Sequence, residues 1–315
     1  MATRKEHGEP SEHAGILIGP AGVDNRGVST GRRPDELGSE DGPTYVLSRS
    51  ESELRRLTLQ DELLHTSTIS LFDRAGIVGG MRVLDVGSGA GDVALTLASM
   101  VGPRGSVLGV ELDPPSADVA RSRAAATGSR NIEILVGDVA TLDLPGPFDA
   151  VVGRLVLMHL ADPVSVLARL RGVLHPDGIV AFQEAHLASP WLSFPASPTL
   201  ERVQRVREDA LAKGWAANPH MGLALREAFL RAGLPDPHLI AEAMIGGGVG
   251  WAGYRYLEQT VRSLLPMWSR VGAAGVEELV VDEIADMIER EVGETGSLLI
   301  QVMVGAWIAS AKETG

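Results

Sequence analysis

Between Met81 and Ala185 the chain alternates short, continuous apolar runs with longer stretches whose apolar residues recur every three or four positions. Val83, Leu84 and Val86 form the first run. Val107–Val110 is the second, ending at Glu111. Ile132–Val136 is the third and ends at Gly137-Asp138, and Phe148–Val152 runs into Gly153-Arg154. Ile179–Phe182 is the fifth and runs out at Gln183-Glu184. Runs apolar at nearly every position are strands buried on both faces, so the pattern predicts a mostly parallel sheet. The stretches between them predict crossover helices. After Asp92 one helix carries Val93, Ala94, Leu95, Leu97 and Ala98. Another lies near Ala117–Ala126 behind Pro114-Pro115, and a third runs through Val166, Leu167, Leu170 and Val173 behind the cap Asp162-Pro163. His175-Pro176-Asp177-Gly178 predicts a turn before the fifth strand.

The flanks have a different rhythm. Residues 1–43 are rich in Gly, Pro, Ser and charge without sustained period, and are expected to be a disordered leader. From Tyr45 the apolar positions Leu54, Leu57, Leu63, Leu64, Leu71 and Phe72 fit one or two amphipathic helices, giving a lid segment over 44–80. Residues 81–185 form the core. Residues 186–221 carry Trp191, Phe194, several prolines and Trp215, too long for a plain connection, and 251–293 reads as further helices. Together they predict a helical cap. The core sheet resumes in 222–250, with a strand at His238–Ile245, and in 294–315, with a central strand at Leu298–Ala309.

Charge narrows the choice of partner. The formal net charge is −13 and no basic run appears, which argues against nucleic acid. With no cysteine, disulfides, thiolate metal sites and cysteine nucleophiles are excluded. No H-x-H or H-E-x-x-H spacing occurs, so no metal site is expected. The amino end lacks a signal-type apolar core and the longest apolar run is too short to span a bilayer. The expected location is the cytoplasm.

The chemistry gathers at the carboxyl ends of the predicted strands. Gly87, Ser88, Gly89 and Gly91 make a turn between a strand and a helix amino end, with Asp85 just before it. The spacing is G-x-G-x-G rather than the dinucleotide pattern, and no Lys-Ser or Lys-Thr of a phosphate loop follows. Glu111, ending the second strand, is placed to accept hydrogen bonds from both hydroxyls of an adenosine ribose. Asp138, ending the third, can bond an exocyclic amine while Val139 and Leu112 close on a flat ring.

These residues resemble the class I S-adenosylmethionine-dependent methyltransferases, and most closely the bacterial small-molecule enzymes of quinone and natural-product tailoring. The resemblance is carried by VLDVGSGAG, VLGVELD, GDVATLDLPGPFDAVV and LARLRGVLHPDGIVAFQE, over roughly residues 75–185. It implies a Rossmann-like, seven-stranded, mostly parallel sheet with helices on both faces and an added helical cap. It implies S-adenosylmethionine as cofactor, with S-adenosylhomocysteine as product. The glycines would lie under the methionine part, with Glu111 the ribose ligand, Asp138 the adenine ligand and Asp85 near the amino group. Tyr45 or Arg49 on the amino-terminal segment would meet the methionine carboxylate, or would instead serve helix packing and a surface ion pair. Arg154 stands where the family usually has a small or polar residue. Its carbonyl can face the cofactor's ammonium, while its side chain either holds an anionic substrate or pairs with a nearby carboxylate.

The implied reaction is methyl transfer to a small organic acceptor, with O-methylation ahead of N- or C-methylation. Such an in-line displacement mainly requires alignment, which can supply about 7–11 kcal/mol. A general base is needed only if the nucleophile carries a proton. His159, after the fourth strand, and His186, past the fifth, lie where sheet topology puts a ligand crevice. Each has an alternative as a local hydrogen-bonding residue. Trp191, Phe194, Trp215, Trp251, Tyr254, Tyr256 and Met267 line an apolar acceptor pocket or pack as cap core. Two other readings remain: an enzyme that uses the cofactor electrostatically in a cyclisation, and a non-catalytic cofactor-binding partner. A homodimer is left open.

Overall fold

A computed structural model describes residues 51–189, 191–214 and 218–308, and these lie within one compact unit spanning Pro43–Gly315. The expected leader, Tyr45, Arg49 and Trp215 lie outside the described residues.

Five parallel strands follow the predicted runs: β1 Arg82–Val86, β2 Ser106–Glu111, β3 Ile132–Val136, β4 Phe148–Arg154 and β5 Leu174–Ala185. The connecting helices are α2 Asp92–Val101, α3 Pro114–Ala126 and α4 Pro163–Arg171. Asp113 and Asp162 cap α3 and α4 by accepting the amides of Ser116 and Ser165, with proline in each first turn. Preceding them is α1 Glu51–Ala75, one long helix over the lid segment. β6 Leu192–Phe194, α5 Pro198–Ala212, α6 Met221–Arg231, β7 His238–Gly246, α7 Ala252–Arg270, α8 Ile284–Thr295 and β8 Leu298–Ile308 complete the chain.

The strand order is β3-β2-β1-β4-β5-β8-β6, with β7 also on β8. β1 through β5 pair in parallel, while β8 pairs antiparallel with β5, β6 and β7. The sheet thus has eight strands, the addition to the expected seven being the three-residue β6, too short to show a period. The predicted turn at His175–Gly178 instead lies within β5, opposite a register shift between Phe148 and Ala150 of β4.

Alternate strand residues feed two cores. Val83, Val107, Ala150, Val152 and Ile179 pack under α1, α2 and α3 with Leu71, Phe72 and Leu97. Leu84, Val110, Val151, Val180 and Phe182 pack under α4 and α6 with Leu167, Leu170, Leu225 and Phe229. Two covered faces explain why these strands read as unbroken apolar runs. A third core joins α1, α5, α7 and α8 to the β7–β8 end of the sheet and contains Leu64, Trp191, Tyr254, Tyr256 and Trp268.

Candidate functional site

The strand order reverses at β1, which has β2 on one side and β4 on the other, so a ligand crevice opens at the carboxyl ends of β1 and β4. The glycine turn sits there. Gly87 N and Ser88 N both donate to Val110 O, at 2.9 and 3.1 Å, pinning the turn to the end of β2. Gly87, Gly89 and Gly91 all have positive φ, of 70°, 53° and 87°. They do different work. A Cβ on Gly87 would lie 2.6 Å from Val156 Cγ2, and one on Gly91 2.9 Å from Ala120 Cβ, so both positions are closed by packing. A Cβ on Gly89 would meet nothing within 4 Å. Gly89 is the point where backbone faces open space.

Asp85 lies at the head of this turn, 1% exposed, and neither carboxylate oxygen has a hydrogen-bond partner. Burial pushes its carboxyl up to about 7, against the lowering effects of Ser88 and Arg154. A buried carboxylate without a partner is costly and suits a site that receives a cation. Glu111 is also buried. Its two oxygens accept from Gly89 N and Asp113 N, each at 2.8 Å, while desolvation raises its carboxyl. Glu111 therefore shapes the turn at the end of β2. Asp138 accepts from Ala140 N at 2.8 Å at the end of β3, Val139 beside it is buried, and Leu112 is half exposed. The orphaned carboxylate of Asp85, the open face at Gly89 and the acids at the next two strand ends fit a cationic adenosyl cofactor.

The other side of the crevice is built from the ends of β4 and β5. Leu155, with φ 55°, is the one non-glycine residue among those described with a positive φ. Its N–H donates to Gln183 O. The next three amides, of Val156, Leu157 and Met158, donate to the carboxylate of Glu184 at 3.0, 2.8 and 3.4 Å. Glu184 is fully buried and its carboxyl is pushed up to about 7, desolvation outweighing those three bonds. The strained residue is thus held from both sides, as backbone strain at functional sites usually is. Since Val156 packs on Gly87, the same grip reaches the glycine turn.

His159 closes this segment. It keeps exposed surface, yet desolvation and the Arg56 guanidinium on α1 pull its imidazole down to about 4. Water at that surface offsets part of the desolvation, and the consequence is a neutral ring near pH 7. His186, past β5, is also shifted down by desolvation, its Nδ1 has no partner, and its ring lies 5.2 Å from that of His220.

Arg154 resolves to the structural pairing. Its Nη1 donates to Asp61 Oδ1 at 2.9 Å and to Thr68 Oγ1 at 3.2 Å, both on α1. Thr68 donates in turn to Gln183 Oε1 at 2.8 Å, and Gln183 Nε2 donates to Ser67 Oγ at 3.0 Å. This network fastens α1 across the ends of β4 and β5. Asp61, Thr68, Leu155, Gln183 and Glu184 were not singled out from sequence. The signal for the last two was present, as two polar residues ending an otherwise apolar buried strand. Of the aromatics proposed as pocket lining, Trp191, Tyr254 and Tyr256 are less than 9% exposed and pack against one another and Trp251. Phe194, by contrast, is 86% exposed.

Residues 77–222 match the model of a family described as a methyltransferase domain. That match takes in the glycine turn and strands β1 to β5. Among curated proteins it is similar to an aklanonic acid methyltransferase of Streptomyces sp. (strain C5), 38% identical over 140 residues, which is 44% of this chain and 63% of that one. It is similar to a demethylmenaquinone methyltransferase of Lactococcus lactis, 31% identical over 37% of this chain and 47% of that one. A nocamycin O-methyltransferase of Saccharothrix syringae is 35% identical over 31% of this chain and 36% of that one. The match thus spans less than two thirds of each relative's length. Among solved structures, a SAM-dependent methyltransferase from Aquifex aeolicus is 20% identical with a TM-score of 0.47, over 61% of this chain and 91% of that one.

Proposed function

We propose that this protein transfers a methyl group from S-adenosylmethionine to a small organic acceptor, with oxygen as the favoured nucleophile. The observation that carries the reading is the buried Asp85 carboxylate, with both oxygens unpartnered, at the head of a glycine turn whose Gly89 faces open space. The three relatives support it, being named for methyl transfer to aklanonic acid, demethylmenaquinone and nocamycin, the last as an O-methyltransferase.

Bound there, the cofactor would supply an activated methyl on a sulfonium. Asp85 would neutralise its amino end, Glu111 would hold the ribose, and Asp138 with Val139 and Leu112 would hold the adenine. The segment Leu155–His159, fixed by Glu184, forms the wall on which an acceptor is oriented. His159 stands at the end of that wall, where an imidazole is placed to take a proton from an O–H or N–H nucleophile. His186 is the second such group. The net charge of −13 supports a small-molecule acceptor over nucleic acid. Among the described residues no helix is long and apolar enough to cross a membrane. Cytoplasmic residence and a homodimer belong to the same reading and are decided by cell fractionation and light scattering.

Calorimetry with S-adenosylhomocysteine tests the cofactor site. The wild type should bind it, and Glu111→Ala should weaken binding by about tenfold or more, since hydrogen bonds to a charged group contribute about 1.5–3 kcal/mol. No binding, or an unchanged affinity in the variant, overturns the site. Formation of S-adenosylhomocysteine in the presence of an acceptor then separates methyl transfer from a cyclisation that consumes no cofactor.

A further inference from the structure

Arg207 lies on α5, 8% exposed, beneath the segment that follows β5. Its Nη1 donates to Leu187 O and Ser189 O, while Nε and Nη2 have no partner at all. No carboxylate among the described residues bonds it, and the neighbouring Glu208 is exposed. The two idle nitrogens are not a random pair. Nε and Nη2 form one edge of the planar guanidinium, with two parallel N–H bonds spaced to meet two oxygens of one anion. The structure thus uses the third nitrogen on two backbone carbonyls and leaves a complete fork free in a buried place, its charge offset only through space by the exposed Glu208.

A second idle group stands beside it. His186 immediately precedes Leu187, its Nδ1 is buried without a partner, and Ser189 N returns to His186 O. Asn218 and His220 approach from the far side, Asn218 bonding Leu160 O on the post-β4 segment and His220 meeting the His186 ring. The cluster therefore borders the wall assigned to the acceptor.

We propose that the free Nε/Nη2 edge of Arg207 binds a carboxylate carried by the acceptor. This rests on the methyltransferase reading and names the class of acceptor for it: a small organic acid anchored by its carboxylate. A monoanion matches the single fixed charge, since desolvation keeps His186 neutral, whereas a phosphate dianion would leave an excess negative charge buried. Neither nitrogen touches solvent, so binding at the fork requires a local rearrangement.

The test uses the full chain saturated with S-adenosylhomocysteine and ligand-observed NMR titrations of benzoate, benzamide and phenyl phosphate. Wild type should bind benzoate about tenfold or more tighter than the neutral benzamide. Arg207→Gln should erase that preference while leaving S-adenosylhomocysteine affinity unchanged. If Arg207→Gln does not fold, Arg207→Lys decides, because it keeps the charge and loses the fork and should reduce the preference. Equal binding of benzoate and benzamide by wild type, or an undiminished preference in the variant that folds, overturns the proposal. Tighter binding of phenyl phosphate than of benzoate overturns the choice of carboxylate. Failure to bind S-adenosylhomocysteine, measured separately, strikes the methyltransferase reading and not the fork.

Discussion

At the scale of single residues, the site is a collection of acids held in unfavourable surroundings. Asp85 and Glu184 are buried and both titrate near 7, against ordinary values of 3.8 and 4.5. The native state therefore holds protons that the unfolded chain gives up between about pH 4 and 7. Stability should fall as pH rises through that window, by up to about 1.4 kcal/mol per unit for each group, and level off above it. Urea unfolding at pH 5 and pH 8, with no cofactor present, checks this. The wild type should lose more stability than Asp85→Asn, whose amide does not ionise. Equal losses would mean that Asp85 is not buried as a strained acid. The same residue should connect pH to ligand binding, because a cationic group beside it relieves the strain only once it ionises.

At the scale of elements, the decisive object is α1 and its fastening to the ends of β4 and β5. Thr68 is the pivot, accepting from Arg154 and donating to Gln183. Thr68→Val keeps the shape and removes the hydroxyl, leaving Gln183 Oε1 and an Arg154 N–H unsatisfied at a cost of about 1–3 kcal/mol. Hydrogen exchange should then accelerate in α1 while β1 and β2 stay protected. Uniform acceleration, or none, would show that the network does not hold the helix. A carboxylate partner for Arg154 was one of two readings open in the sequence, but which residues form the network was not legible, and the reason is distance along the chain. Arg154 and Asp61 lie 93 positions apart and Glu184 reaches back 28 to Val156, so nothing local marks them as partners. By contrast, the glycine turn, Glu111 and Asp138 could be read directly, because each is a local exception at the end of an apolar run. Strand existence was readable for the same reason. The antiparallel pairing of β7 and β6 on β8 was not, since apolar periodicity carries no direction.

For the whole molecule, the question is whether cap and sheet form one cooperative structure. Leu64 of α1 belongs to the cap core, while Leu71, Phe72 and Ala75 of the same helix belong to the core beneath α2 and α3. Leu155 and Leu187 pack against both the cap core and the core under α4 and α6. The strained Leu155 is thus also a joint between the two. With shared residues at these points, the cap should not melt separately. Of the four described tryptophans, Trp191, Trp251 and Trp268 sit in or against the cap core and Trp307 against the core under α1, α2 and α3, so fluorescence is weighted to the cap core, while far-UV circular dichroism follows the sheet and all helices. The two probes should give one denaturation midpoint. Leu64→Ala, at a site 1% exposed, should cost about 2–5 kcal/mol and move both midpoints together. A fluorescence transition that shifts alone would show an independent cap. Coincident shifts would mean that the two cores unfold as one cooperative structure joined through α1 and Leu155.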